Sequence, residues 1–149
     1  MPTARRSRTI RAPVEELWEV IRDPHHLPRW WPRVDRVEDV DQGAFTEVMT
    51  TSKGKVVRAD FRIVVLEDRA RRLTWEQQVQ GTPFAHVLRS AETEVSLTPP
   101  EGSADATEVT IALRQTLNGF SSRVGGYMVR RAAAKTIDEA LEGLERISG

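Results

Sequence analysis

Residues 120–149 read FSSRVGGYMVRRAAAKTIDEALEGLERISG, and the fold turns on how this stretch is read. It holds no proline. Ile137, Leu141 and Leu144 recur at spacings of four and three, the pattern of a helix lying on an apolar surface. One long helix over Phe120–Gly149 is predicted, with Ala134 and Tyr127 extending its buried stripe and Ser121 or Ser122 as N-cap. Its two halves differ. The second half turns large aliphatic side chains inward, whereas the first carries Gly125 and Gly126 and then Ala132, Ala133 and Ala134. Glycine costs roughly 1 kcal/mol relative to alanine inside a helix, so a pair calls for a reason, and room beneath the helix is one. A helix that seals a sheet at one end and stands off it at the other leaves a cavity.

Upstream of this helix the chain has a different period. From about Val34 to Leu117, runs rich in Val, Ile, Leu, Thr and aromatics are separated by turn signals. These are Asp41-Gln42-Gly43, Ser52-Lys53-Gly54, Glu67 to Arg71, Gly81-Thr82-Pro83 and the longer Pro99 to Ala106. Sequential strands joined this way form an antiparallel meander of six strands. At the front, Arg8–Ala12 reads as a short strand and Val14–Ile21 as a helix opened by Pro13, with Leu17, Trp18 and Ile21 on one face. Asp23-Pro24 ends that helix, and His25–Trp31 suits one more short helix before Pro32.

The order is therefore strand, helix, short helix, six strands, long helix. Three stretches make the chain resemble the START-related SRPBCC superfamily: Ile10-Arg11-Ala12-Pro13-Val14-Glu15-Glu16-Leu17-Trp18, the segment from Asp23-Pro24 through Trp30-Trp31-Pro32, and Ala140-Leu141-Glu142-Gly143-Leu144. The resemblance covers nearly the whole chain. It implies an α+β helix-grip fold: one domain over residues 1–149, with a curved antiparallel sheet of about seven strands wrapped around the C-terminal helix and an apolar cavity between them. That superfamily hosts carriers, polyketide cyclases and interaction modules, so it indicates fold more sharply than function.

Composition bounds the rest. The 149 residues are 39% hydrophobic and 30% charged, as in an ordinary soluble domain, and the formal net charge of zero argues against a nucleic-acid partner. There is no cysteine, so no disulfide and no thiolate chemistry. No apolar run approaches the ~18 residues of a membrane span, and no signal-peptide core follows the basic start, so a cytoplasmic protein is expected. His25 and His26 are adjacent and His86 lies apart from them, which makes a poor metal site. No cofactor motif is present. The sequence leaves the oligomeric state open.

Strand alternation gives the expected cavity lining. In Val57–Val65 and Val109–Leu117 the odd positions are mostly apolar, and those positions are read as inward. Carrying that parity across the turns places Phe45, Phe61, Trp75, Arg89 and Gln115 in one row, with Glu47 and Gln77 in the next. Arg89 is expected between Trp75 and Gln115. Trp31 is expected at the cavity mouth, and Tyr127 and Arg131 along the helix, with Arg130 as the alternative to Arg131. The expected ligand is a small hydrophobic or aromatic molecule of polyketide, lipid or isoprenoid type. A polyketide aromatase/cyclase is the alternative. Glu47, His86, Tyr127 and Arg89 are then the candidate acids and bases, and no catalytic motif singles one out. A protein-interaction module without a small-molecule ligand is the second alternative.

Overall fold

The structure, a computed structural model, describes residues 3–51, 53–102, 105–119 and 125–148. Seven strands form one antiparallel sheet in the order β1-β7-β6-β5-β4-β3-β2. They are β1 (Thr3–Ile10), β2 (Val34–Asp41), β3 (Ala44–Thr50), β4 (Val56–Glu67), β5 (Arg72–Gln77), β6 (Leu88–Thr98) and β7 (Thr107–Leu117). Between β1 and β2 lie α1 (Val14–Ile21), a 3-10 turn at Pro24–His26 and α2 (Leu27–Trp30), and the chain closes with α3 (Gly126–Ser148). The curved sheet, the long C-terminal helix and the short helices after the first strand are those expected.

Local chemistry explains the elements. Pro13 precedes α1 with an extended backbone, and Glu15 and Glu16 sit in its first turn, where the helix dipole favours negative charge. Asp23 accepts from the backbone N–H of His25 and opens the 3-10 turn. The turn at Gln42-Gly43 has both residues at positive φ, 47° and 85°, which suits glycine at the second position and closes a tight hairpin. β1 begins at Thr3 rather than Arg8, because all eight of its residues pair with β7, from Thr3 opposite Arg114 to Ile10 opposite Thr107.

The core lies between the sheet and the helices. Ile137, Ala140, Leu141 and Leu144 of α3 are fully buried against Ile10, Leu17, Ile21, Val109 and Ile111. Trp18 is buried too, and its indole Nε1 donates to Asp68 at 2.8 Å, which ties α1 to the β4–β5 turn. The stripe on α3 continues to Ala133 and not to Tyr127, which is 68% exposed. Tyr127 lies ten residues before Ile137, and at ~100° per residue that is about 80° off the buried line. The expected helix start at Phe120, and the caps at Ser121 or Ser122, fall outside the described residues. Within them α3 begins at Gly126, and the Gly125 carbonyl accepts from the N–H of Val129 at 2.8 Å. The glycine pair therefore sits at the helix start, where a Cβ on Gly126 would meet nothing within 4 Å.

Candidate functional site

Two adjoining chambers lie between the sheet and the first half of α3. The inner one, about 240 Å³, is bounded by Trp31, Met49, Phe61, Trp75, Gln77 and Thr93, with Glu47 in its wall. The outer one, about 710 Å³, lies between the start of β4 (Val56 to Arg58), the Pro83–Leu88 segment and Val129, Ala132 and Ala133 of α3. Phe84, Leu113, Gln115 and Thr136 border both, so the two lie side by side and share these walls. Val56 and Val87 are exposed and mark where the outer chamber meets solvent.

Aromatic packing shapes the inner chamber. Phe45 stacks on Phe61 at 5.5 Å between ring centroids, and Trp31 meets Trp75 edge-on at 5.4 Å. Trp31 is held from behind by Trp30, 5.4 Å away and also edge-on. Trp30 in turn lies against α3 at Gly143. A Cβ on Gly143 would come within 2.9 Å of the Trp30 Cα, so only glycine lets α2 approach this closely. A bare helix position thus sets the depth of α2 and, through it, the position of the Trp31 wall. Arg33 follows in a left-handed conformation, φ 64°. Its Nη2 donates to Thr136 Oγ1 at 3.1 Å, and its Nη1 lies 3.7 Å from Glu139, which ties this segment to α3 at the junction of the chambers.

Glu47 carries the unusual electrostatics. It is 3% exposed, between Val37 of β2 and Ala59 of β4 in the sheet. Its carboxyl makes no hydrogen bond or ion pair among the described residues. Burial pushes that carboxyl from its ordinary value of 4.5 to about 8, because removing the anion from water is unfavourable and nothing nearby compensates. At neutral pH the group is a neutral carboxylic acid, able to donate as well as accept.

The family model for polyketide cyclase / dehydrase and lipid transport proteins matches residues 1–149. The chain belongs to this family. No curated protein matches it by sequence. Among solved structures, the di-domain aromatase/cyclase BexL from the BE-7585A biosynthetic pathway is similar over 98% of this chain and 46% of its own length. The TM-score is 0.80 and the identity 22%. A START superfamily protein from Mycobacterium smegmatis is similar over 98% of this chain and 96% of its own, at TM-score 0.78 and 15% identity. XoxI from Bacillus cereus covers 99% and 96%, at TM-score 0.78 and 17% identity. At these identities the likeness is one of fold.

Within this family member, Trp31, Glu47, Phe61, Trp75, Gln77 and Gln115 border the inner chamber, and Phe45 stacks directly behind Phe61. Three residues do not. Arg89 is exposed and borders neither chamber. Leu88 pairs with Leu117 and Ser90 with Thr116, so Arg89 is the extra residue of a bulge and the inward parity resumes only at Ala91. The row is displaced as well: Trp75 stands beside Ile63, because the β4–β5 hairpin pairs Glu67 with Arg72 and carries a bulge at Val64, and beside Thr93, because the β5–β6 connection runs from Gln78 to Val87 and not through a tight turn at Gly81. Tyr127 and Arg131, with Arg130, face a separate groove beside Arg5 and Arg6 of β1. Of the four candidate acids and bases, Glu47 alone lines a chamber; His86, Arg89 and Tyr127 are exposed.

Sequence reasoning missed Arg33, Thr136 and Phe84. Thr136 lies one residue from Ile137 on the buried side of α3, which is a readable signal. Phe84 sits in a 3-10 turn at Pro83–His86, capped by the Thr82 side chain accepting from the Phe84 N–H at 3.2 Å. The Gly81-Thr82-Pro83 punctuation marks that turn, but nothing local says that the turn folds over the cavity.

Proposed function

We propose that this protein binds a small hydrophobic or aromatic molecule of polyketide, lipid or isoprenoid type in the space between the sheet and the first half of α3. One observation carries the reading: two adjoining chambers, mostly apolar, interrupted by a few polar groups. That is the composition by which ligand pockets obtain affinity from apolar area and orientation from a few directed contacts. Trp31, Phe61 and Trp75, with Phe45 behind them, supply flat aromatic surface, and Gln77 and Gln115 supply directional contacts. Membership in a family whose description includes lipid transport supports the same reading.

The test is native mass spectrometry of the protein purified from its own host, beside an Ala132→Trp variant that fills the outer chamber. A discrete small-molecule adduct on the wild type, absent from the folded variant, is expected. An adduct retained equally by the filled variant, or no adduct on either, counts against the reading.

Aromatase/cyclase chemistry is the alternative. What favours it is Glu47, a neutral acid inside the chamber and so a candidate general acid, together with the likeness to BexL. On that reading Glu47→Gln abolishes turnover of a bound polyketide while leaving it bound; on the carrier reading there is no turnover to abolish.

A further inference from the structure

The chambers explain the apolar wall but not Glu47. A buried carboxyl with no partner is unfavourable, and methionine or leucine would fill the position without leaving polar atoms unmatched. The neighbours do not satisfy it. Val37 and Ala59 flank it across the strands, and Met49, Phe61 and Trp75 share its chamber wall. Among the described residues, the titratable groups facing the same space from other elements are three. Arg33, after α2, is engaged with Thr136 and Glu139 of α3. Arg58 of β4 is bonded to Glu38 of β2 at 2.6 Å, and Lys55 stands beside it on the rim of the outer chamber. None forms an ion pair with Glu47. The remaining polar groups of the inner chamber, Gln77, Thr93, Gln115 and Thr136, are neutral.

We propose that Glu47 recognises the ligand directly, donating a hydrogen bond from its carboxyl to a neutral acceptor such as a ketone, quinone or ether oxygen on a ring seated in the inner chamber. The inference rests on reading the chambers as a ligand site and adds the chemistry the ligand must carry. A free carboxylate is disfavoured there, because it would bring an anion into an apolar wall with no committed cation. Size agrees: a dry cavity of about 150 Å³ already admits benzene, and the inner chamber of about 240 Å³ leaves room for a fused second ring.

Calorimetric titration with 1-tetralone and with tetralin, which differ only in the carbonyl, tests this. On the wild type at pH 6 the ketone should bind about tenfold more tightly than the hydrocarbon, as expected for one well-made hydrogen bond. That preference should fall as pH rises past about 8, where the carboxyl loses its proton. Glu47→Gln keeps a donor and should retain the preference at every pH. Glu47→Leu should lose the preference at every pH while still binding tetralin. Equal binding of both probes to the wild type, or a preference that survives in Glu47→Leu, overturns the role of Glu47 and leaves the chamber as a ligand site. Failure of both probes to bind the wild type overturns the chamber reading as well.

Discussion

The two ends of α3 are built for different tasks. From Ile137 to Leu144 its inward side chains are fully buried, and Gly143 lets the helix touch the backbone of α2. From Gly126 to Ala132 the same helix stands off the sheet: Tyr127 and Met128 are exposed, while Val129 and Ala132 border the outer chamber. Close packing at one end fixes the helix as a lever, and small residues at the other keep space beneath it. A cavity needs no special element; it is what a stiff helix leaves when only half of it is packed.

The largest effect belongs to the sealed end. Gly143→Ala should destabilise by more than about 4 kcal/mol or prevent folding, because the added methyl meets Trp30 backbone and not a movable side chain. Thermal denaturation checks it, and a midpoint close to the wild type would mean that α2 is not seated on Gly143. Leu144→Ala should cost about 3 kcal/mol, within the range for a buried leucine; an unmoved chemical-denaturation midpoint would place that side of the helix elsewhere.

Within the chamber wall, Glu47 links stability to pH. Its folded-state value of about 8 lies above the ordinary 4.5, so the folded protein holds a proton that the unfolded chain releases. Stability should therefore be greatest below about 4.5, as far as this group is concerned, and fall as pH rises from there through 8. Glu47→Gln should flatten that component and, near pH 8, stabilise the protein by a few kcal/mol. Urea titrations of both proteins from pH 5 to pH 9 measure the difference, and parallel profiles would show that the carboxyl is already ionised when buried.

The smallest stability change is expected at the open end. Ala132→Met should alter the unfolding free energy by less than about 0.5 kcal/mol, as for a substitution away from the packed core. It should nevertheless reduce ligand binding, because the added atoms occupy the outer chamber. A large loss of stability there would erase the distinction between the two ends.

Much of this was legible in the sequence, for physical reasons that also mark where legibility stops. The spacing of Ile137, Leu141 and Leu144 reads directly as a buried stripe because helix geometry is local. Alternation in Val57–Val65 turns Ala59 and Phe61 inward because β4 pairs with β3 without a break from Val56 to Arg62. Arg89 could not be placed the same way: a bulge between Leu88 and Ser90 shifts the parity and leaves no trace in alternation. Tyr127 does not extend the stripe, because its phase along the helix carries it away from the buried line. Gly143 was visible only as part of a motif, since its role depends on α2, more than a hundred residues earlier in the chain. The cavity was foreshadowed by Gly125, Gly126 and the alanines; the partnerless state of Glu47 follows from packing and needed the structure.

An isotope-filtered NOE experiment on methyl-labelled protein saturated with 1-tetralone tests whether the ligand lies beneath the open half of α3. The half-packed helix predicts contacts from the ligand to the methyl groups of Met49, Val57, Leu113 and Val129, and none to Leu141 or Leu144. Contacts confined to the outside of α3, near Tyr127 and Ala134, would contradict it.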